Sequence, residues 1–288
     1  MKNFTKCMMA IAIMALLCVS CQKEGQYNPS KKISSIETTE TVNGFENPAG
    51  TGIIEYVWDG KLLTQIVYKH KNGNVVCTLN YAYDGKKRIS EVTSTEGYSL
   101  KYYYDGKFMD AIEVYDEGEL ACTYKITHDD SFLDKIELEY VSDDYKNSKN
   151  VNPFFFMPNE IGEEIVASTK NAKKGNNVAQ TWIFSIDDRN ISSMSCISSG
   201  VVDEYTYTYD KHRNPFCGWD DAINNNWDVA LSRNNMVSYT RNVYYGDNVY
   251  TSKVDYNYEY KGNYPISKTW ELEHDGFRTE YSEVYKYE

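Results

Sequence analysis

The histidines are the first residues in this sequence that could bind a metal ion or move a proton. Four are present: His70, His128, His212 and His274. None stands at metal-ligand spacing from another histidine or from a cysteine. His128-Asp129-Asp130 and His274-Asp275-Gly276 each place an imidazole beside carboxylates, but both stretches are also typical of hairpin turns, where aspartate is common. The sequence therefore predicts no metal centre and no cofactor.

Three pairs of adjacent aspartates could supply the two carboxylates of a glycoside hydrolase. They are Asp143-Asp144, Asp187-Asp188 and Asp220-Asp221. Such an enzyme needs a carboxyl group on either side of a glycosidic bond, but each pair also fits a solvated loop. The sequence has no Gly-x-Ser-x-Gly nucleophile motif and no glycine-rich phosphate loop. An enzyme with an unrecognised site is therefore only the third function hypothesis.

Aromatic side chains offer a different chemistry, because their faces stack on sugars and other flat ligands. The chain has five tryptophans and 27 tyrosines. Trp219 and Trp227 lie in a long connection, residues 211–232, which also contains Asp220 and Asp221. We take Trp219 and Trp227 as the candidate aromatic binding residues.

Ten of the tyrosines belong to a repeated pattern that predicts β-hairpins. Tyr102–Lys107 reads Tyr-Tyr-Tyr-Asp-Gly-Lys; it has close copies at 56–61 and 81–86 and looser ones at 207–211 and 258–262. Asp-Gly suits a two-residue hairpin loop, because glycine adopts positive φ without strain. Turns at 59, 84, 105 and 129 recur roughly every 21–25 residues, which indicates an array of hairpins. We interpret the tyrosines mainly as sheet formers, with a tyrosine ladder that binds ligand as the alternative.

The residues that lead into these turns alternate between apolar and polar types. Ile136, Leu138 and Tyr140 alternate with charged residues, and residues 254–260 repeat the pattern with tyrosine. A period of two with one apolar face indicates antiparallel strands that are half in water. The sequence thus predicts an all-β fold: an antiparallel up-and-down meander of about sixteen strands in a barrel-like or strongly curved sheet, with one short helix. We expect the tyrosine-rich apolar face to point inward or against a packed layer, and not toward lipid.

We predict about eight strands in the repeat-rich part, 51–140, after a first strand at 32–36. The strands predicted in the second set, 177–288, are 179–187, 190–198, 201–209, 235–245, 250–260, 264–273 and 277–287. Residues 31–288 are expected to form a single barrel-like domain, interrupted by an insertion at 141–176.

The first 20 residues have the pattern of a signal peptide. Lys2 and Lys6 precede an apolar stretch, Met8–Val19, that is too short to span a bilayer. Ser20-Cys21 then resembles the lipobox of bacterial lipoproteins, in which the cysteine becomes the lipidated N-terminus, although Cys18 stands where leucine is usual. The resemblance predicts lipidation at Cys21, with residues 21–30 as a tether. The alternative is an ordinary secretory signal.

The hairpin motifs and two further stretches resemble known families of cell-surface proteins. The hairpin motifs resemble the tyrosine–aspartate repeats of Rhs-type cell-surface proteins. Together with the lipobox, and with residues 207–216 and 231–235, they more closely resemble a gut Bacteroidetes lipoprotein family of unknown function described as having a porin-like fold. The resemblance covers most of the mature chain and implies a β-barrel-like fold in the cell envelope. It implies no catalytic residues, because none are known for the family.

The insertion carries the most apolar non-strand stretch. Phe154-Phe155-Phe156-Met157 precedes a predicted helix at 159–170, in which Ile161, Ile165 and Val166 share a face. Exposure of three phenylalanines would be costly, so the segment must be buried. We expect it to cap the sheet, or to act as a plug or as a lid over a ligand cavity inside the barrel.

The cysteines and the charge limit the remaining possibilities. Cys77, Cys122, Cys196 and Cys217 remain after the lipidation site, and their strand-like surroundings predict free, mostly buried thiols. The formal net charge of −12 argues against nucleic acid and against anionic lipid surfaces as partners.

Two function hypotheses rank above an enzyme. The first is a lipoprotein anchored in the outer membrane that binds a glycan, lipid or peptide without catalysis. The second is a structural or interaction protein of an envelope assembly that has no small ligand. Gln22-Lys23-Glu24 resembles the short signal that sends gut Bacteroidetes lipoproteins to the cell surface. The cell surface is therefore the expected location, with the periplasmic face as the alternative.

Overall fold

A computed structural model describes residues 29–129, 132–141, 178–198, 201–216, 232–246, 248–274 and 277–288. These residues form one antiparallel sheet of eighteen strands. The strands are β1 (Ile33–Val42), β2 (Phe45–Glu46), β3 (Gly52–Asp59), β4 (Leu62–His70), β5 (Val75–Tyr83), β6 (Ile89–Ser94), β7 (Tyr98–Asp105), β8 (Phe108–Asp116), β9 (Glu119–Asp129), β10 (Phe132–Tyr140), β11 (Val178–Asp187), β12 (Asn190–Ser198), β13 (Val201–Arg213), β14 (Asn234–Tyr245), β15 (Asn248–Asp255), β16 (Asn257–Lys261), β17 (Tyr264–His274) and β18 (Phe277–Tyr287). Within the described ranges, no helix is long and apolar enough to cross a membrane.

The sheet curves into a nearly closed barrel because its first and last strands meet. β1 pairs with β18 on one side and with β3 on the other, so that Ile36 lies opposite both Tyr285 and Ile54. From β4 to β15 every strand pairs with its predecessor, and β16, β17 and β18 continue the meander to β1. The all-β meander that the sequence predicts is confirmed.

The barrel has two distinct ends. We call the end at which β1 begins and β18 finishes the basal end; the Asp-Gly turns after β3, β5 and β7 also lie there. The opposite end is the distal end, where β10 finishes and β11 begins. The inner wall between them is lined by apolar side chains. The largest that are fully buried are Tyr124, Ile33, Leu63, Ile66, Leu79, Ile89, Ile112, Ile136, Leu138 and Ile191.

The outer face is polar and carries ion pairs between neighbouring strands. Lys69 binds Glu55 at 2.6 Å, and Lys125 binds Glu139 at 2.8 Å. Paired residues of an antiparallel ladder share a face, so these charges lie on the side opposite the buried core. The apolar face therefore points inward, as the alternation predicts.

Six aromatic side chains connect neighbouring strands at the basal end, and we call them the aromatic clamps. Each donates a hydrogen bond to the backbone carbonyl oxygen of a residue in an adjacent or nearby strand. The pairs are Trp58 to Ile33, Tyr83 to Leu63, Tyr104 to Ile89, Tyr209 to Ile191, Tyr258 to Met236 and Tyr287 to Pro265, with distances of 2.6–3.0 Å. The repeated aromatic residue before each turn thus has a structural role.

Strand number and turn geometry differ from the prediction in defined ways. The structure has eighteen strands because β2 has two residues and because Tyr256 interrupts the predicted strand 250–260 between β15 and β16. Gly60 and Gly106 have positive φ in two-residue loops, as expected. The Asp84-Gly85 turn is longer: Lys87 has the positive φ, and the Asp84 carboxylate accepts hydrogen bonds from the backbone of Lys86 and Arg88.

The predicted strand 201–209 is longer in the structure, because β13 continues to Arg213, into the predicted connection 211–232. The first strand is also longer than predicted and extends to Val42. The eight strands of 51–140 are confirmed as β3–β10. The predicted helix at 159–170 and the signal peptide at 1–20 lie outside the described residues.

Three cysteines are buried in the core as free thiols: Cys77, Cys122 and Cys196. Burial raises the pKa of the Cys122 and Cys196 thiols to about 12. A thiol with a raised pKa is a poor nucleophile, so these cysteines act as small hydrophobic residues. Cys217 lies outside the described residues.

Candidate functional site

The site residues predicted from the sequence lie outside the described ranges. They are the lipidation site Cys21, the plug or lid residues Phe154, Phe155, Phe156 and Met157, and the aromatic binding residues Trp219 and Trp227. The structure neither brings them together nor separates them, and they stay predictions. The candidate site of the described residues lies elsewhere, between β15 and β17.

The histidine-containing turns hold no metal arrangement in the described part of the chain. There, no group of three or more His, Cys, Asp or Glu side chains is placed to bind an ion. His128 instead stacks on Phe108, with ring centroids 4.7 Å apart.

A second histidine belongs to a polar contact at the basal end. The Asp210 carboxylate lies 3.2 Å from Nδ1 of His212 and accepts a hydrogen bond from the Tyr260 hydroxyl. The His212 ring stacks on Tyr260 at 3.8 Å. An Asp–His pair can orient a general base, but here one face of the imidazole is covered by the Tyr260 ring. The trio instead joins β13 to β16, and it explains why β13 continues past Asp210.

The strongest irregularity of the barrel lies between β15 and β17, and we call it the seam. β15 pairs with β14 only, and residues 270–274 of β17 pair with β18 only. At Tyr256 the chain leaves β14 and then, as β16, pairs with the first half of β17. No ladder joins β15 to β17 within the described strands.

The geometry of β15 shows which of its backbone groups face the seam. The amide of Tyr256 donates to the carbonyl oxygen of Val237 in β14 at 2.8 Å. Backbone groups alternate in direction along an antiparallel strand. The amides of Val249, Thr251 and Lys253 therefore point away from β14, into the seam. Such an edge is a template for one more strand.

β15 is also the most solvent-exposed long strand: residues 248–253 are all exposed. The seven most exposed large apolar side chains of the described residues all lie at the distal end, to which β15 belongs. They are Phe45 (79%), Tyr245 (65%), Tyr250 (61%), Phe277 (59%), Val75 (58%), Val141 (57%) and Val249 (53%). Since scattered single exposed apolar residues are normal, their concentration at one end is the informative feature.

A groove of about 560 Å³ runs along the outer side of the seam. Its lining combines hydroxyl groups, an amide and charged groups around one aromatic pair: Thr39, Thr41, Thr269, Ser282, Asn257, Lys253, Asp255, Glu271, Arg278, Glu280, Trp270 and Tyr281. Arg278 binds both Glu271 (2.6 Å) and Glu280 (2.7 Å), and Lys253 binds Asp255 at 2.7 Å. The volume lies within the range of ligand sites, and the lining can exchange many hydrogen bonds.

A row of aromatic rings, the aromatic belt, crosses the barrel wall where the ladder is missing. It runs through Tyr205 in β13, Tyr239 in β14, Tyr256 between β15 and β16, Trp270 in β17 and Tyr281 in β18. The centroid distances are 6.1, 6.3, 5.8 and 4.8 Å, in the range of favourable aromatic pairs. Ring contacts thus hold the two sides of the seam together in place of backbone hydrogen bonds.

Cations lie over this belt. Lys268 Nζ is 4.6 Å from the Tyr256 ring centroid and 4.4 Å from that of Trp270. The Arg241 guanidinium lies 5.7 Å from the Tyr205 ring and binds Asp203 at 2.7 Å. Burial raises the pKa of the Asp203 carboxyl group to about 6 and lowers the pKa of Arg241.

Near this ion pair, the buried Gln180 donates a hydrogen bond from its amide nitrogen to Cys196 Sγ. The Gln180 Oε1 atom and one Asp203 oxygen have no hydrogen-bond partner within the described residues. A water molecule would satisfy such acceptors, because buried waters usually bridge polar groups of this kind.

The sequence reading missed the seam and its residues. Period-two alternation continues through Tyr256, so nothing in the pattern marks the change of partner there. A signal did exist for Asp203, Arg241 and Lys268, because each is a charged residue at an inward position of an otherwise apolar register. Charged residues at such positions are expensive unless they are paired.

The fold defines the class of this protein: a nearly closed, all-antiparallel meander barrel. No family model and no curated protein matches the sequence. Among solved structures, a porin-like protein from Bacteroides uniformis is similar, with a TM-score of 0.52, 11% identity, and 89% of this chain and 98% of that chain covered. The porin-like fold is therefore confirmed. At this identity the similarity concerns the fold alone.

Two further solved structures align more weakly. A porin-like protein from Bacteroides vulgatus has a TM-score of 0.47 and 9% identity over 90% of this chain and 99% of that one. The hypothetical lipoprotein YmcC from Escherichia coli has a TM-score of 0.20 and 9% identity over 87% of this chain and 83% of that one. Neither supports a further argument, and the resemblance to tyrosine–aspartate repeats stays a prediction.

Proposed function

We propose that this chain is an envelope lipoprotein that binds an extended peptide along the seam, as an added β-strand. The observation that carries the proposal is the pair of facing strand edges without a ladder, β15 and residues 270–274 of β17, beside the polar groove. The sequence leaves glycan, lipid and peptide open as ligands. A peptide is favoured because only a polypeptide can pair with such edges residue by residue.

The groove and the exposed side chains of the distal end supply the side-chain contacts that strand addition needs. Backbone pairing gives affinity, and alternate side chains of the added strand give specificity. Those on the outer face meet the hydroxyl groups of Thr269 and Ser282 and the charges of Lys253 and Arg278. Those on the inner face meet Tyr250, whose ring is 61% exposed although its register places it inward.

The envelope location rests on the first 24 residues. An apolar stretch that ends at Ser20-Cys21 supports export and lipidation at Cys21, and Gln22-Lys23-Glu24 supports the cell surface over the periplasmic face. The partner of the N-terminal segment is then the outer membrane, which holds the lipid attached to Cys21. No catalytic step is part of the proposal.

A proline in the edge of β15 tests strand addition directly. Residues 22–288 are used as target, and a displayed library of random dodecapeptides is selected against them. The best peptides are then measured by fluorescence polarisation. Thr251→Pro removes an amide that faces the seam and leaves the ladder to β14 intact, since edge strands tolerate proline there. Affinity should fall at least tenfold.

Thr251→Val is the matched control, because it keeps the β-branched shape and the amide. It should bind within about twofold of the wild type, and bound peptide should protect the amides of 249–253 from hydrogen exchange. Selected peptides that bind Thr251→Pro as well as the wild type would refute strand addition. If a glycan or lipid binds at the groove equally well in the wild type and in Thr251→Pro, that ligand would replace the peptide in the proposal.

A further inference from the structure

The two strands that border the seam carry different chemistry on their two faces. Within residues 248–255 and 270–273, every charged side chain points outward: Lys253, Asp255, Glu271 and Glu273. The inward positions of the same residues hold tyrosine, valine, tryptophan, leucine, one asparagine and one serine. A strand placed between these edges would therefore meet polar, charged groups on one side and mostly apolar groups on the other.

Three aromatic side chains on the inner side are open to solvent at the distal end. Tyr250 shares a face with the buried Val254 of the same strand, and Phe277 shares one with the buried Thr279. The ladder of β14 and β15 places Tyr245 on the same face as Tyr250. Each of the three rings is more than half exposed, although its register points it inward. The inner side of the seam thus presents aromatic surface to an entering chain.

The outer side presents charges that already form ion pairs. Lys253 binds Asp255, and Arg278 binds both Glu271 and Glu280. A charged side chain of a ligand would have to displace one of these partners. Hydroxyl groups both donate and accept hydrogen bonds, so serine and threonine fit beside the pairs without breaking them. The outer side therefore favours uncharged polar side chains.

We propose that the ligand of the seam is an amphipathic β-strand segment, in which aromatic or aliphatic side chains alternate with uncharged polar ones. The proposal rests on the strand addition described above and names the class of peptide that it takes. Successive side chains of a strand point to opposite faces. Only a period of two therefore places every apolar side chain against the inner rings and every polar one in the groove. Aromatic residues fit the inner side best, since aromatic pairs across neighbouring strands are favourable.

Two dodecapeptides of identical composition test the pattern. Both contain Phe, Tyr, Val and Thr between lysines that keep them soluble. In one peptide the apolar residues alternate with threonine, and in its isomer they are grouped in pairs. Binding to residues 22–288 is measured by fluorescence polarisation. The alternating peptide should bind at least tenfold more tightly, because each aromatic pair that the isomer fails to form changes affinity by up to about tenfold.

Substitutions on the two faces of the seam test which side reads the pattern. Tyr250→Ser, Phe277→Ser combined removes aromatic surface from the inner side and should weaken binding of the alternating peptide at least tenfold. Val249→Ser is the matched control, because Val249 is also an exposed apolar residue of β15 but lies on the outer face, opposite Tyr244. It should stay within about twofold of the wild type. Equal losses in the two variants would overturn the proposal.

Thr251→Pro separates a failure of the peptide class from a failure of strand addition. If both isomers bind equally well and both lose affinity in Thr251→Pro, peptides add as strands but their alternation is not recognised, and the amphipathic class is wrong. The class alone is also wrong if neither isomer binds while the library peptides depend on the Thr251 amide. If no peptide depends on that amide, strand addition is wrong, and the peptide class with it.

Discussion

The hydroxyl group of Tyr83 donates a hydrogen bond to the backbone carbonyl oxygen of Leu63 at 2.6 Å. The ladder between β4 and β5 begins at Gln65, so that this carbonyl lies two residues before the first paired position. The same offset holds for Tyr104 and Ile89, because the ladder of β6 and β7 begins at Glu91. The clamp thus satisfies a carbonyl that the sheet itself leaves unpaired.

Tyr83→Phe should therefore lower the free energy of unfolding by about 1–2 kcal/mol, because Leu63 loses its partner while the packing of the ring stays unchanged. Urea unfolding followed by circular dichroism measures the change. Tyr245→Phe is the control: that side chain is 65% exposed, and its hydroxyl group is in water. Equal effects of the two changes would show that the hydrogen bond from Tyr83 to Leu63 does not stabilise the fold.

The aromatic belt leads to a second prediction, on the seam. Tyr256→Ala removes the ring between Tyr239 and Trp270, and it should cost about 2–4 kcal/mol. Hydrogen exchange of the β15 amides should accelerate more than that of β5, because β15 has a ladder on one side only.

Tyr256→Phe keeps the ring and serves as the control, with an expected cost of about 1 kcal/mol or less. If the alanine variant unfolds at the same urea concentration as the phenylalanine variant, ring contacts do not hold the seam.

These two features show what a sequence pattern can and cannot reveal. The alternation of Val254, Tyr256, Tyr258 and Tyr260 is local, so it correctly predicts which residues face inward. The choice of strand partner is not local. Tyr256 keeps the same alternation while the chain changes from β14 to β17, and the seam was therefore missed.

The end of β13 was missed in a similar way, near Asp210. The residue stands where the other repeats turn, but its carboxylate accepts hydrogen bonds from the His212 backbone amide at 2.8 Å and from Tyr260, which is distant in sequence. A tertiary contact overrides the local signal there. At Asp84 the contacts are local in sequence. Its carboxylate accepts hydrogen bonds from the backbone amides of Lys86 and Arg88, and these bonds shape a longer loop.

The pair of Asp203 and Arg241 predicts a dependence of stability on pH. Burial raises the pKa of Asp203 to about 6, above the value of 3.8 for a free carboxyl group. Between these two values the folded protein binds a proton that the unfolded chain does not, so this group adds stability as the pH falls from about 6 toward 4. The ion pair with Arg241 at 2.7 Å opposes the effect, and a gain of about 1–3 kcal/mol is expected.

Asp203→Asn isolates this contribution, because asparagine has a similar shape and does not titrate. The difference in free energy of unfolding between wild type and variant should shift in favour of the wild type as the pH falls from 7 to 4.5. A difference that stays constant over this range would show that the carboxyl group titrates in the same way in the folded and unfolded states.

Lipidation at Cys21 stays a prediction, and one substitution tests it. Cys21→Ala should abolish palmitate labelling and release the protein from the membrane fraction, because the thiol is the attachment point in proteins with a lipobox. Cys7→Ala is the matched control, since it changes a cysteine of the predicted signal peptide that lies outside the lipobox. Labelling that survives Cys21→Ala would exclude this residue as the anchor.

The last prediction concerns the insertion. The described chain leaves β10 after Tyr140 and resumes at Val178, both at the distal end, where the exposed apolar side chains are concentrated. We expect Phe154, Phe155 and Phe156 to pack into the concave side of the barrel from this end, since burial stabilises a phenylalanine by roughly 1.5–3 kcal/mol.

If the segment is a plug, Phe155→Ala should lower the free energy of unfolding by about 3–5 kcal/mol in thermal or urea unfolding. As a lid, it should make the same change weaken ligand binding more than stability. Phe45→Ala, at a side chain 79% exposed at the same end, should change stability by about 0.5 kcal/mol or less. A Phe155→Ala variant with unchanged stability and unchanged binding would rule out both roles.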